Sequence, residues 1–192
     1  STHAPEEEIA FAVYANLRRQ FPALKLVLVP RHPDRFDEIA ALAAAKGIGG
    51  VRRSRIDSPL ATMPAVVLLD TVGELGAAWA LADVGFTGGS LATNRGGQSM
   101  IEPAGYGVPV AFGPHVWNFR DAARRLIEAG GATSVANAAE LEQTLARWLA
   151  DPVLRAKVGT AARELVREQQ GATARTLDAI DAAVVQSTTA RT

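Results

Sequence analysis

Apolar positions along the chain alternate between short continuous runs and longer stretches with helical spacing, separated by turns rich in Gly, Pro and Asp. Pro5 followed by Glu6, Glu7 and Glu8 predicts a helix start, because proline fits the first turn and carboxylates favour its positive end. Ile9, Val13 and Leu17 then fall on one face. Residues 25–29 predict a buried strand closed by Pro30, residues 34–46 a helix stopped by Gly47, and the surroundings of Val51 a weaker strand. A strand over 65–69 leads through Asp70-Thr71-Val72-Gly73 into a helix over 74–82. Glycine-bounded strands over 84–87 and 108–112 and a short one over 133–135 complete the β pattern. From Asn137 onward everything is helical, over 138–149, 152–169 and 172–185, ahead of a polar tail at 186–192.

Strands separated by helices argue for parallel pairing through crossover units. Strands that are apolar along their whole length have both faces covered. The expectation is an α/β fold, a Rossmann-like doubly wound parallel sheet, with helices 137–186 packed against it. No internal repeat and no low-complexity tract interrupts it.

The chain has 192 residues, 48% of them apolar, which fits one domain able to bury about 70% of its unfolded surface. It has no cysteine, which excludes disulfides, thiolate metal sites and cysteine nucleophiles and fits a cytosolic setting. Lys+Arg and Asp+Glu number 20 each, and only 6% of residues are aromatic, which disfavours nucleic acid as a partner. No run approaches the roughly 18 apolar residues of a membrane span, so this segment reads as soluble. It begins at Ser1 with no signal-peptide pattern and reads as a piece of a longer protein.

In open α/β sheets ligands bind beyond the carboxyl ends of strands. After the first strand, Pro30-Arg31-His32-Pro33 forms a stiff turn that aims Arg31 and His32 outward, and a guanidinium suits phosphate. The alternative is structural, with Arg31 paired to a carboxylate and His32 capping a helix. After the third, Val72, Gly73 and Glu74 offer backbone and helix-start amides to a base or an anion. Glu74 reads equally well as a carboxylate stabilising the helix dipole.

The densest signal runs from Gly88 to Glu102. Gly88-Gly89-Ser90 and Gly96-Gly97-Gln98 permit tight turns, and Ser99 is placed as a helix N-cap. The amides of Met100 and Ile101 would then form a phosphate cradle. Glu102, one turn in, can accept from both hydroxyls of a ribose, a reading that Pro103 and the flanking glycines favour over a dipole role. GxxxxGK[ST], GxGxxG and GxSxG motifs are missing, which disfavours P-loop enzymes, standard dinucleotide oxidoreductases and serine hydrolases. His3, His32 and His115 lack metal-ligand spacing and read as hydrogen-bonding residues, so no metal is expected.

Six segments in order resemble the carboxyl-terminal half of 3-deoxy-D-manno-octulosonic acid (Kdo) transferases: STH with EEE at 1–8, LVPRHPDRF at 28–36, DTVGEL at 70–75, ADVGFTGGSL at 82–91, GGQSMIEPAGYGVPV at 96–110 and GPHVWNF at 113–119. The GAT-AR pattern at 171–175 is similar to the family's last helix. The resemblance implies the donor-binding, carboxyl-terminal domain of a GT-B glycosyltransferase over residues 1–192, with the amino-terminal acceptor domain absent from this chain. It implies CMP-Kdo as a substrate, no cofactor, and a lipid A precursor as acceptor, met through the missing domain at the cytoplasmic face of the bacterial inner membrane. By the same resemblance Pro30, Arg31, Val72, Gly73, Glu74, Ser99, Met100, Ile101 and Glu102 line the CMP site. Ser1, Thr2, His3, His32, Gly89, Ser90, His115 and Asn118 are further donor contacts. The family's general base lies in the other domain, so no catalytic residue is expected here.

Two departures stand out: Gln98-Ser99 replaces the family's His-Asn, and Pro5 replaces its Gly. The alternative readings are the donor domain of a GT-B transferase using a UDP-sugar, and a non-catalytic nucleotide-binding module.

Overall fold

The computed structural model describes residues 1–92, 95–170 and 180. In chain order the elements are α1 (Glu6–Gln20), β1 (Leu26–Leu28), α2 (Phe36–Ala45), β2 (Val51–Arg52), β3 (Val66–Leu68), α3 (Leu75–Ala80), β4 (Gly85–Thr87), α4 (Ile101–Gly105), β5 (Val110–Phe112), α5 (Arg120–Glu128), β6 (Ala132–Ser134), α6 (Ala138–Ala150) and α7 (Pro152–Gln169). Every strand pair is parallel, as the helical crossovers demand. The strands form two three-stranded ladders, β1-β3-β2 and β4-β5-β6.

Residues Ser1 to His3 sit between the carboxyl ends of the two ladders. Thr2 forms a parallel bridge with Pro30. Its amide donates to the Val29 carbonyl at 2.9 Å, and the Arg31 amide donates to the Thr2 carbonyl at 3.0 Å. On the other side lies Gly88, where a Cβ would stand 2.9 Å from Thr2 Cα. Alongside β1 and β4 lies an apolar cavity of about 450 Å³, lined by residues such as Leu17, Leu26, Trp79 and Phe86.

Three buried clusters hold the layers together. Phe11, Tyr14 and Ile39 pack on Leu28, Val66 and Leu68 of the first ladder. Val13, Leu17, Leu141 and Trp148 cover one face of the second, around Ala111. Met100, Ala104, Leu126 and Ala162 cover its other face, around Val110 and Phe112. Burial at about 25 cal/mol per Å² makes these clusters the main source of stability.

Several elements differ from the sequence expectation. The helix expected over 34–46 is a 3₁₀ turn at Pro33–Arg35 followed by α2. The helix expected over 74–82 contracts to Leu75–Ala80, with Glu74 at its N-cap position. Helix α5 has no counterpart in the expected pattern, because it buries only Ala123 and Leu126 and five of its nine side chains are charged. Its surface is laced by Arg124–Glu128 and Arg125–Asp121 ion pairs one turn apart. The helix expected over 172–185, with the 171–175 pattern and the 186–192 tail, lies outside the described residues.

Candidate functional site

The chemistry-bearing residues gather where the loops after β1, β4 and β5 meet the first turn of α1. Pro30 is buried and Arg31 and His32 are exposed. Among the described residues the Arg31 guanidinium has no ion-pair or hydrogen-bond partner, and His32 caps no helix through its side chain. Both structural alternatives for this turn are therefore unrealised. The His32 ring meets that of buried His3 edge-on at 5.2 Å. Burial, and then the neighbouring His32, push His3 below its ordinary value against the opposing pull of Glu6. At neutral pH it is uncharged, with the Gln98 side-chain nitrogen 3.4 Å from its Nε2.

The first turn of α1 departs from the reading of three dipole-stabilising carboxylates. Glu8 is exposed, but Glu6 and Glu7 are 0% and 1% exposed. Glu7 pairs with Arg35 at 2.9 Å, and its second oxygen is buried with no partner. Glu6 has no ion-pair partner among the described residues; backbone amides surround it instead. Its Oε2 accepts from the amides of Gly89 at 2.6 Å and His3 at 3.1 Å, and its Oε1 from those of Ser90 and Leu91 at 3.0 Å each.

The glycine-rich loops are stitched to one another. Gly97 and Gln98 donate their amides to the carbonyls of Gly89 and Gly88 at 2.9 and 3.0 Å. The His115 amide donates to the Ser90 carbonyl at 2.9 Å. Ser90 Oγ donates to the Thr87 carbonyl at 2.6 Å and accepts from the Gly113 amide at 2.9 Å. Asn118 holds the turn from the far side, through its amide on the Gly96 carbonyl at 3.2 Å and its Nδ2 on the Arg95 carbonyl at 3.1 Å. Gly96 and Gly97 have φ of +85° and +80°, which only glycine adopts without strain.

The turn leads into α4, and here the expected cap is corrected. Met100, not Ser99, occupies the N-cap position, with no side-chain cap bond. Its side chain is fully buried beside Val110 and Phe112, which draws the helix start one residue on. Met100 can therefore meet a ligand only through its backbone. Ser99 is half-buried, while Ile101 and Glu102 face solvent.

The loop after β3 is anchored from β2. Asp70 accepts from Arg52 Nε and Ser54 Oγ at 2.6 Å each, and from the Ser54 amide at 2.8 Å. Burial alone would raise its carboxyl; these bonds outweigh it and hold Asp70 below the ordinary carboxylate range. Glu74 accepts from Thr71 Oγ1 and from Arg53 at 2.7 Å, which lowers its carboxyl as well. Val72 is 92% exposed beside Gly73, whose φ is +89°. Helix α3 then reaches α4, where a Cβ on Gly76 would lie 2.9 Å from Tyr106 Oη and 3.7 Å from Glu102 Oε1.

Ser1, Thr2, His3, Pro30, His32, Gly89, Ser90, His115 and Asn118 thus join in one bonded or contacting network with the Gly96–Met100 turn. Val72, Gly73 and Glu74 approach from a separate loop, on the α3 side of Glu102. Sequence reasoning missed Glu6, and it also missed Arg95, an exposed residue whose Cβ would lie 3.6 Å from a Cβ on Gly89. The available signal for Arg95 was a basic residue directly before Gly96-Gly97; nothing in the run of three glutamates marked which would be buried. Among the described residues no group of His, Asp or Glu side chains is arranged to hold a metal ion, and no helix is long and apolar enough to cross a membrane.

A parallel α/β unit with glycine turns, helix starts and an unpaired arginine at the carboxyl ends of its strands belongs to the class of Rossmann-like domains found in GT-B glycosyltransferases. The solved structure of WaaG, a glycosyltransferase involved in lipopolysaccharide biosynthesis, shares this fold, with a TM-score of 0.57 at 20% identity over 87% of this chain and 40% of that one. More specific is the C-terminal CMP-Kdo binding domain of WaaA from Acinetobacter baumannii, with a TM-score of 0.77 and 32% identity over 86% of each chain. Curated relatives include the 3-deoxy-D-manno-octulosonic acid transferases of Bordetella pertussis, 42% identical over 85% of this chain and 38% of that protein, and Haemophilus influenzae, 36% identical over 93% and 42%. No protein-family model matches the chain. The chain belongs to the 3-deoxy-D-manno-octulosonic acid transferase family, as its carboxyl-terminal domain. It spans about two fifths of the length of these curated relatives, 38% and 42%.

Proposed function

We propose that this domain binds the CMP-sugar donor of a transferase that moves Kdo to a lipid A precursor, in lipopolysaccharide synthesis. The observation that carries the reading is the Arg31 guanidinium, without a partner among the described residues, at the carboxyl end of β1, beside the stitched glycine turns, in a chain similar to a CMP-Kdo binding domain. Arg31 and the amides entering α4 meet the phosphate, the backbone of Val72 to Glu74 meets the cytosine, and Glu102 meets the ribose hydroxyls. Ser1, Thr2, His3, His32, His115 and Asn118 shape the rest of the donor pocket.

In the transfer, the acceptor hydroxyl attacks the anomeric carbon of Kdo. The bond from that carbon to the phosphate oxygen breaks, CMP departs with the electron pair, and the hydroxyl proton passes to a general base. This domain supplies fixed positive charge where the leaving phosphate gains negative charge. The base and the acceptor site belong to the amino-terminal domain of the longer protein, which works at the cytoplasmic face of the inner membrane.

Calorimetric titration with CMP, UMP and AMP tests the reading. Selectivity for CMP supports it. Preference for UMP moves the chain to a UDP-sugar transferase, and binding of none by the full-length protein favours a non-catalytic module.

A further inference from the structure

Glu6 carries a charge in a place where charge is expensive. It is 0% exposed, and an isolated buried carboxylate would cost several kcal/mol or take up a proton. Here four backbone amides face it, three of them from the consecutive residues Gly89, Ser90 and Leu91. Successive amides turned toward one anion form a nest, a geometry that elsewhere receives phosphate. Gly89 provides the left-handed residue it needs, with φ of +67°. Gly88 provides the room, since a Cβ there would stand 2.6 Å from Glu6 Oε2.

The nest faces inward, and its carbonyls face the other way. Those of Gly88, Gly89 and Ser90 accept from the amides of Gln98, Gly97 and His115 at 3.0, 2.9 and 2.9 Å. One buried carboxylate therefore sets three peptides, and those peptides set the two loops on either side of them. The amides of Gly89 and Ser90 are already engaged by an anion belonging to the protein itself.

We propose that Glu6 is a positioning residue of the donor site, an internal anion that fills the Gly89–Leu91 nest and thereby holds the Gly96–Met100 turn where it meets the donor phosphate. Gly89 and Ser90 act through this framework and do not hydrogen-bond the phosphate by their amides. The proposal rests on reading the site as a nucleotide site, and it deepens that reading by separating groups that touch the donor from groups that hold those in place.

Glu6→Gln keeps the volume but turns an NH₂ group toward amides that are themselves donors. The variant is titrated with CMP and with cytidine, and its amide resonances are compared with those of the unmodified chain. The expected result is CMP binding weakened at least tenfold, cytidine binding changed less than twofold, and shifted amides at Gly97, Gln98 and His115. A purely structural role would weaken both ligands alike. Equal weakening, or unchanged CMP binding, overturns the proposal.

Should the variant not fold, hydrogen exchange on the unmodified chain decides. The amides of Gly89, Ser90 and Leu91 exchange slowly without ligand, and CMP leaves their rates within twofold. Fast exchange that CMP slows overturns the proposal. If the full-length protein does not bind CMP, the donor reading fails by itself. The unliganded exchange rates and the Glu6→Gln amide shifts still test whether Glu6 sets the loops.

Discussion

Arg52 Nε donates to Asp70 Oδ2 at 2.6 Å, which ties the end of β2 to the residue that leaves β3 for the Val72–Glu74 turn. The Asp70 side chain is 1% exposed and Arg52 is 23% exposed, so the pair is shielded on one side and wet on the other. Arg52 also pairs with exposed Asp37, and Asp70 accepts twice from Ser54. Two residues of the β2 end, Arg52 and Ser54, thus converge on one carboxylate, and Arg52 links it onward to Asp37 of α2.

Asp70→Asn is expected to lower stability at pH 7 by about 2–3 kcal/mol, because it weakens a charge-assisted network around a buried group. The folded-state carboxyl is held below its ordinary value by the Ser54 and Arg52 hydrogen bonds, which outweigh burial. A depressed carboxyl contributes stability above the unfolded value of about 3.9, and that stability is lost as pH falls through the lower folded value. Urea unfolding at several pH values checks this: the difference between the two proteins should be full at pH 6–7 and shrink below about pH 4.

Arg31→Ala removes an exposed guanidinium that holds nothing else in place. Folding stability should change by less than about 0.5 kcal/mol. CMP affinity should fall about tenfold or more, the weight of a charge-assisted hydrogen bond to phosphate, while cytidine affinity is retained. Parallel titrations with both ligands read the difference, and raised salt should narrow it.

Gly97→Ala tests the turn before α4. Its φ of +80° disfavours any side chain, and the added Cβ would stand 3.2 Å from Val116 Cγ1 and 3.3 Å from the His115 carbonyl. The expected cost is about 1–2 kcal/mol of backbone strain, read as a lowered urea midpoint, accompanied by weaker CMP binding.

Far from the site, Asn137 accepts from the Glu140 amide at 3.0 Å while Glu140 accepts from the Ala136 amide at 2.8 Å, a reciprocal cap on α6. Asn137→Ala should cost about 1 kcal/mol and leave nucleotide affinity unchanged. Thermal melting and a CMP titration on the same sample check both halves.

The frame of the fold was legible because its strands are apolar on both faces and its turns are marked by Gly and Pro. Residues 65–69 and 108–112 read as buried strands, and Asn137 and Pro152 announced α6 and α7. Helix α5 was not legible, since only two of its nine residues are buried and five of the nine side chains are charged. In the site, Arg31 and the Gly96-Gly97 turn were visible as motifs. The start of α4 was misplaced by one residue because the core packing of Met100 outweighs the capping preference of Ser99. The burial of Glu6 was hidden, because three of its four partners are backbone amides more than 80 residues away, and backbone amides leave no mark in a sequence.

A map of backbone amide shifts during titration of the chain with CMP asks most directly whether this face of the sheet is the donor site. Saturable shifts are expected at Arg31, Val72 to Glu74 and Gly96 to Glu102, with α5, α6 and the far ends of the strands unmoved. Saturable shifts confined to another surface, such as that of α5 and α6, would contradict the assignment.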